Sequence, residues 1–312
     1  MTKPSLIFMG TPDFALPALR MLHSEHYSIL SVVTQPDRKA GRGQKEAVPP
    51  VKLLAEKFGL PVLQPQKVKD QVFLDRLYQL KPDMVVVAAF GQILPKAIIG
   101  FPRFGCLNIH PSLLPKYRGA APLNWSIIRG ETKTGVTIML MDEGMDSGDI
   151  LAQEETPIGR DETFGELHDR LSILGATLLI QTIDRVIAGT IRRQPQEPLG
   201  VTFAPRLTRE TGKINWHAGV GDIVNLIRGM SPTPAAYTML EGQTLKIFSA
   251  FGRTGPVGPP PGTVGTPYAQ GLPVAAQDGY VTLKDIQLAG RKRMSTEDFL
   301  RGYRIRTGSV LG

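Results

Sequence analysis

Asn108-Ile109-His110 closes an apolar run that starts at Cys106. Side chains of a strand alternate between faces, so Asn108 and His110 point the same way. A carboxamide beside an imidazole can donate hydrogen bonds to an oxygen that gains charge, and the imidazole can also move a proton. Pro111-Ser112-Leu113-Leu114-Pro115 follows. Its prolines stiffen the backbone, and its free N–H and C=O groups are expected to address a flat ligand. A second segment, Asp142-Glu143-Gly144-Met145-Asp146-Ser147-Gly148-Asp149, comes after a β-like run at 136–141. Asp142, Asp146 and Asp149 compete there for a role as carboxylate partner. Turn formation and capping account for at least one of them. The loop lacks the twelve-residue ligand pattern of a calcium site.

Residues 34–45 form a long polar loop with Arg38, Lys39, Arg42 and Lys45 against a single acid, Asp37. Long loops after a strand end are usually functional or disordered. Basic residues separated by glycines suit contact with a phosphate backbone. Arg291-Lys292-Arg293, with Arg301, Arg304 and Arg306 nearby, extends that chemistry to the C-terminal part. The formal charge is +8; residues 201–312 hold 13 of the 36 basic and 7 of the 28 acidic residues, leaving +6 there and +2 before. A near-neutral part joined to a basic one fits a catalytic domain carrying a polyanion-binding appendage. Gly10-Thr11-Pro12-Asp13 stands where nucleotide-binding folds place a phosphate loop. It is not G-x-G-x-x-G, so a dinucleotide site is excluded and Pro12 and Asp13 are expected to start a helix. His23 and His26 suit surface roles, His168 packs beside a helical stripe, and His217 stays unassigned.

These groups need a scaffold. Strand-like runs at 6–9, 29–33, 62–63, 84–89, 106–109 and 136–141 alternate with helical patterns at 13–22, 51–58 and 72–80. That alternation predicts a doubly wound α/β sheet of parallel type, whose C-terminal strand ends line the ligand crevice. Phe164, Leu167, Leu171, Leu174 and Leu178 share one face of a long helix over 163–188. Pro195, Pro198 and Pro205 mark a linker. The division read from this pattern is 1–190, a linker 191–206, and 207–312. Short β-like stretches at 244–251, 262–264, 273–276 and 280–286 predict a small β-barrel with a helix at 220–228. Residues 252–261 are read as a mobile loop, and Ser295 with Asp298 as a helix cap. One cysteine, Cys106, excludes an internal disulfide and a cysteine zinc cluster. The expected compartment is the reducing cytosol. Neither a signal peptide nor a membrane span is expected, because no apolar stretch is long enough.

Taken together, the chain resembles the methionyl-tRNA formyltransferases over nearly its whole length. The resemblance rests on Phe8-Met9-Gly10-Thr11-Pro12-Asp13-Phe14, on Gln35-Pro36-Asp37-Arg38 with Gly41-Arg42-Gly43, and on Asn108-Ile109-His110 with Ser112-Leu113-Leu114-Pro115. It continues through Tyr117-Arg118-Gly119-Ala120-Ala121-Pro122, Thr134-Gly135-Val136-Thr137-Ile138-Met139, Asp146-Ser147-Gly148 and Ala289-Gly290-Arg291-Lys292-Arg293-Met294. The middle motifs are common to folate-dependent formyltransferases. The arginine–glycine loop and the last motif narrow the resemblance to the tRNA enzyme. Ser231-Pro232-Thr233-Pro234 departs from the Asn-Pro-Trp-Pro that the family often carries.

The resemblance implies a formyltransferase-like Rossmann variant followed by an OB-like barrel. It implies transfer of a formyl group from 10-formyltetrahydrofolate to the α-amino group of methionyl initiator tRNA, without a metal. The family's catalytic trio falls on Asn108, His110 and Asp146. Its folate segment falls on Ser112, Leu113, Leu114 and Pro115, and the pterin-holding turn on Phe90, Gly91, Ile93 and Leu94. Its acceptor-arm loop falls on Arg38, Lys39, Arg42 and Lys45, with Arg42 foremost, and its barrel contact on Arg291, Lys292 and Arg293. A monomer is expected. In the implied reaction Asn108 and a protonated His110 donate to the oxyanion while Asp146 holds the imidazole; the proton transfers stay open between His110, Asp146 and water. A sugar-nucleotide formyltransferase, a formyltetrahydrofolate hydrolase and a non-catalytic RNA-binding protein are the rival readings. The first would not need the loop at 38–43, and the last would not need the trio.

Overall fold

The computed structural model describes residues 3–40 and 45–312. Arg42 lies outside the described residues, as do the side chains of Lys39 and Lys45. The chain divides into two compact units: Met1–Gly119, Gly135–Thr156 and His168–Phe203 form the first, and Ala120–Thr134, Pro157–Leu167 and Ala204–Gly312 the second.

The first unit starts with β1 (Ser5–Gly10), α1 (Leu16–Ser24) and β2 (Ser28–Val33). A short hairpin, β3 (Arg38–Ala40) with β4 (Lys45–Ala47), precedes α2 (Pro50–Lys57), β5 (Val62–Leu63) and α3 (Gln71–Leu80). Then come β6 (Met84–Ala88), α4 (Lys96–Ile99), β7 (Cys106–His110) and β8 (Arg118–Gly119), while the next helix, α5 (Pro122–Ile128), belongs to the second unit. β9 (Lys133–Leu140), β10 (Ile150–Pro157) and the long helix α6 (Phe164–Ile187) complete the α/β part. Seven strands form one sheet in the order β10-β9-β7-β6-β1-β2-β5. β1 pairs in parallel with β2 and β6, and β6 with β7, whereas β9 runs antiparallel to β7. The expected parallel sheet therefore gains an antiparallel side next to Asn108. The link through residues 141–149, which joins β9 to its sheet neighbour β10, contains no helix.

Leu6, Ile7, Phe8 and Met9 are fully buried, and so are Met84, Val85 and Val86. Burial on both faces explains why these runs show no alternation. Each such side chain is worth about 1.5–3 kcal/mol, which makes the middle of the sheet a stiff base for its strand ends. Gly10 serves packing here: a Cβ would lie 2.8 Å from that of Ala15 and 3.0 Å from the Ala88 carbonyl. Asp13–Ala15 forms the single 3-10 turn that leads into α1, in line with the reading of Pro12 and Asp13. His168 packs edge-on against Phe14, with centroids 5.5 Å apart. Among the described residues no helix is long and apolar enough to cross a membrane.

The second unit carries β11 residue Ala204 (strand Phe203–Ala204), α7 (Val220–Met230), β12 (Ala236–Leu240), β13 (Gln243–Thr254), β14 (Leu272–Ala276), β15 (Gly279–Leu288), β16 (Met294–Ser295) and α8 (Thr296–Gly302). The five later strands form an antiparallel sheet in the order β12-β13-β15-β14, with β16 on β15. Trp216, Ile223, Ile247, Val274 and Leu283 belong to its core. Residues 252–254 of the expected loop belong to β13. The run at 262–264 makes only isolated bridges, and β12 had no signal because four of its five residues are buried and do not alternate. Ser295 caps α8 by accepting from the Asp298 N–H at 3.0 Å.

Candidate active site

Asn108 and His110 sit at the end of β7, paired with Met139 and Thr137 of β9. His110 is buried, and its Nε2–H donates to the Tyr117 carbonyl at 3.0 Å. Its other nitrogen, Nδ1, lies 3.7 Å from Asp146 Oδ2. That distance is longer than a hydrogen bond and is of the kind that tightens when a substrate is bound. Asp146 Oδ2 also accepts from the Gly119 N–H at 2.8 Å. The Asn108 side chain is half-buried, and no described residue takes a hydrogen bond from its carboxamide. The site thus offers an uncommitted amide, and an imidazole with one nitrogen anchored to the backbone and the other toward a carboxylate.

The three competing aspartates separate by their contacts. Asp142 accepts from the Gly144 N–H at 3.0 Å and from the Ser147 hydroxyl at 2.8 Å, so it shapes the turn. Asp149 offers its carbonyl to the Leu140 N–H at 2.9 Å. Asp146 alone faces His110, from a left-handed backbone with φ of 49°. Asp and Asn tolerate that conformation better than most residues, because their short side chains bond locally.

Residues 112–115 differ from the expectation of free backbone groups. The Thr137 hydroxyl donates to the Ser112 carbonyl at 2.6 Å and accepts from the Leu114 N–H at 3.1 Å. Gln153 donates to the Leu114 carbonyl at 2.8 Å. The Ser112 hydroxyl turns inward to the Lys116 carbonyl at 2.7 Å. Ser112 and Leu114 are therefore buried scaffold, while Leu113 and Pro115 keep part of their apolar surface open. Thr137 is fully buried. A Thr137→Val substitution keeps the shape and strands these partners, so it is expected to cost at least ~2 kcal/mol in urea unfolding.

In the turn after β6, Phe90 and Leu94 are buried while Gly91 and Ile93 are exposed. The Phe90 carbonyl is taken by the Thr11 hydroxyl at 2.9 Å and by Gln35 Nε2 at 3.3 Å. Gln92 ties the turn to the neighbouring loop through the Val68 N–H at 3.0 Å.

The basic hairpin is rooted at Asp37. Lys52 forms an ion pair with it, and Gln64 Nε2 donates to it at 2.7 Å. These two hydrogen bonds hold the Asp37 carboxyl below the usual carboxylate range. A lowered folded pKa means that the clasp is in force at neutral pH and is lost only as pH falls through that value. Asp37→Asn removes the charge without changing the size. It is expected to lower the urea midpoint of unfolding at neutral pH and to leave it nearly unchanged at a pH below the Asp37 pKa.

Arg38 is exposed and reaches Gln35 Oε1 at 3.3 Å. In the second unit Arg291 lies over the Tyr303 ring at 5.4 Å and Lys292 is exposed. Arg293 is committed: its Nε donates to Asp285 at 2.7 Å, and its guanidinium covers Phe248 at 4.3 Å. It clasps β15 to β13. Arg301 pairs with Glu297 and Asp298, whereas Arg304 and Arg306 are exposed.

Sequence reasoning missed Gln196. It lies in the proline-marked stretch, yet its Nε2 donates to the carbonyls of Asp146 and Gly148, each at 2.8 Å. No local motif announces such a contact, because its partners are about fifty residues earlier.

The formyl transferase family matches residues 4–183, and the formyl transferase C-terminal domain matches residues 206–304. A methionyl-tRNA formyltransferase of Syntrophus aciditrophicus is 56% identical over 312 residues, covering 100% of both chains. One of Geobacter metallireducens is 49% identical, covering 99% of this chain and 98% of its own. Among solved structures, a sugar 3N-formyl transferase with dTDP and 5-N-formyl-THF shares the fold at TM-score 0.68 and 20% identity, covering 94% of this chain and 100% of that one. An N-formyltransferase from Helicobacter canadensis, in complex with folinic acid and dTDP-3-aminofucose, aligns at TM-score 0.67 and 21% identity, covering 90% and 98%.

Proposed function

This chain belongs to the methionyl-tRNA formyltransferase family, and from that premise we propose that Asn108, His110 and Asp146 carry its formyl transfer. The enzyme moves the formyl group of 10-formyltetrahydrofolate to the α-amino group of methionyl initiator tRNA, giving the N-formylmethionyl-tRNA used in translation initiation. The observation that carries the assignment is the meeting of His110 and Asp146 beside the uncommitted Asn108 amide.

The formyl carbon on the folate nitrogen is amide-like, and a neutral amine attacks it. The carbonyl oxygen gains negative charge in the tetrahedral intermediate. Asn108 donates an N–H to that oxygen without first giving up another partner. His110 has its Nε2–H anchored at Tyr117, so Nδ1 is the nitrogen left for the reaction. Asp146 holds that side of the ring and is itself oriented by the Gly119 N–H. The amine sheds a proton and the folate nitrogen gains one, and Nδ1 with Asp146 is the pair placed to pass it.

In this reading residues 1–190 bind the folate and hold the reacting groups, and 207–312 grip the RNA across the linker 191–206. Leu113 and Pro115 offer apolar surface to the folate, and the turn from Phe90 through Gly91 and Ile93 to Leu94 holds its pterin. Arg38, Lys39, Arg42 and Lys45 meet the acceptor arm. Arg291 and Lys292 add to the grip, with Arg304 and Arg306 as the exposed arginines nearest in sequence. The enzyme works as a cytoplasmic monomer. The test is transfer of radiolabelled formyl from 10-formyltetrahydrofolate to charged initiator tRNA. Label on a UDP-amino-sugar in place of the tRNA, or release as formate, would overturn the reading.

A further inference from the structure

We propose that Gln196 is a positioning residue for formyl transfer, holding the Asp146 loop in its reactive shape from the stretch that follows α6. The inference rests on the assignment of Asp146. Gln196 is a bridge with both ends engaged. Its Nε2 donates to two carbonyls of one loop, Asp146 and Gly148, at 2.8 Å each. Its Oε1 accepts from Arg118 Nε at 3.1 Å and from Nη2 at 2.7 Å. Arg118 directly precedes Gly119, whose N–H orients the Asp146 carboxylate. The Arg118 backbone is tied back to the same stretch, its N–H donating to the Thr202 carbonyl at 2.9 Å. Gln196 thus braces both walls that set the position of Asp146 Oδ2: its own loop and the strand that donates to it.

The brace is needed because, among the described residues, no backbone–backbone hydrogen bond holds residues 142–148. Asp146 has φ of 49°, a conformation that L residues leave readily when released. Asp142 and Ser147 fix only the tip of the turn. Catalytic geometry is sensitive on the scale of about 1 Å, where a displacement can cost ~10²-fold in rate. A side chain donating to both the Asp146 and Gly148 carbonyls prevents such a drift without touching substrate.

Two substitutions separate hydrogen bonding from shape and from the Arg118 contact. Gln196→Met fills similar space with no donor. Gln196→Glu keeps an acceptor for Arg118 but turns a carboxylate toward two carbonyls. Both are expected to lower kcat by about 10- to 100-fold, to leave KM for folate and for tRNA within about twofold, and to move the kcat–pH profile toward that of Asp146→Asn. Gln196→Asn, with its shorter reach, should not restore the rate. The deciding measurement is a double-mutant cycle with Asp146→Asn, with thermal unfolding run on every variant. The cost of Gln196→Met should largely vanish once Asp146 is already Asn. Wild-type kcat in Gln196→Met would overturn the proposal. So would a rate loss that stays in full in the Asp146→Asn background. A harmless Asp146→Asn would instead remove the assignment of Asp146 on which the proposal rests.

Discussion

Replacing Asn108 by alanine is expected to lower kcat at least ~10²-fold, with the affinity for charged tRNA close to its starting value. The expectation follows from what the side chain does not do. No described residue relies on the Asn108 carboxamide, so its loss takes nothing from the fold. The backbone of β7 keeps its register, Asn108 opposite Val87 on one side and Met139 on the other. The loss falls on the tetrahedral intermediate, where one donor to a developing oxyanion is worth about 3 kcal/mol. Asn108→Asp should be worse than alanine, because it aims a negative charge at the same oxygen. Asp146→Ala should match Asn108→Ala in size, by releasing the imidazole. Single-turnover rates with saturating folate, beside tRNA binding measured directly, separate the terms. Near-normal turnover in either alanine variant would sink the assignment of the trio.

The trio was legible in the sequence to different depths. Asn108 and His110 declared themselves as a pair through strand alternation at the end of β7, and the sheet puts them there. Spacing alone left Asp146 as one of three acids; its selection came from the family motif. In the structure the left-handed backbone at Asp146 and the Gly119 N–H single it out. Neither is a property of residue type at a spacing. The antiparallel placement of β9 was hidden for a related reason: its inner residues are as continuously buried as those of a parallel strand. The inward turn of residues 112–115 was hidden because Thr137 and Gln153 reach it from β9 and β10, and pairing partners of that kind are tertiary facts.

Charge was legible as a total and less so as a surface. The excess in 201–312 was plain, yet part of it is internal currency. Arg293 is consumed by Asp285 and Phe248, and Arg301 by two acids of its own helix. Arg228 is half-buried and donates to the carbonyls of Gly159 and Glu162; burial lowers its pKa, though not enough to discharge an arginine. Exposed arginines and lysines outside such clasps are therefore the ones whose charge stays at the surface.

Gly148→Ala is expected to lower kcat at least ~10²-fold and to destabilise the fold by about 1–3 kcal/mol, although the change is one methyl group outside the trio. A Cβ at 148 would lie 1.8 Å from the Leu140 carbonyl oxygen and 3.0 Å from its carbon. Those are backbone atoms of a strand end that has no room to give. The Leu140 N–H donates to Asp149 at 2.9 Å, and the Met141 N–H donates to Cys106 at 2.8 Å. The loop itself must move, and it carries Asp146 with it. Its withdrawal would also break the Gln196 bond to the Gly148 carbonyl. Gly144→Ala in the same loop is the control. Its Cβ would meet the Ser147 hydroxyl at 2.0 Å, the end of a half-buried side chain that can rotate away at the cost of its bond to Asp142. That bond is worth about 1 kcal/mol, and Gly144→Ala should keep most of its turnover. Measuring kcat and the urea midpoint for the two variants side by side tests whether the backbone behind Asp146 is as rigid as its contacts imply. Equal activities would mean that the loop adapts and that the fixed geometry assigned to Asp146 is wrong.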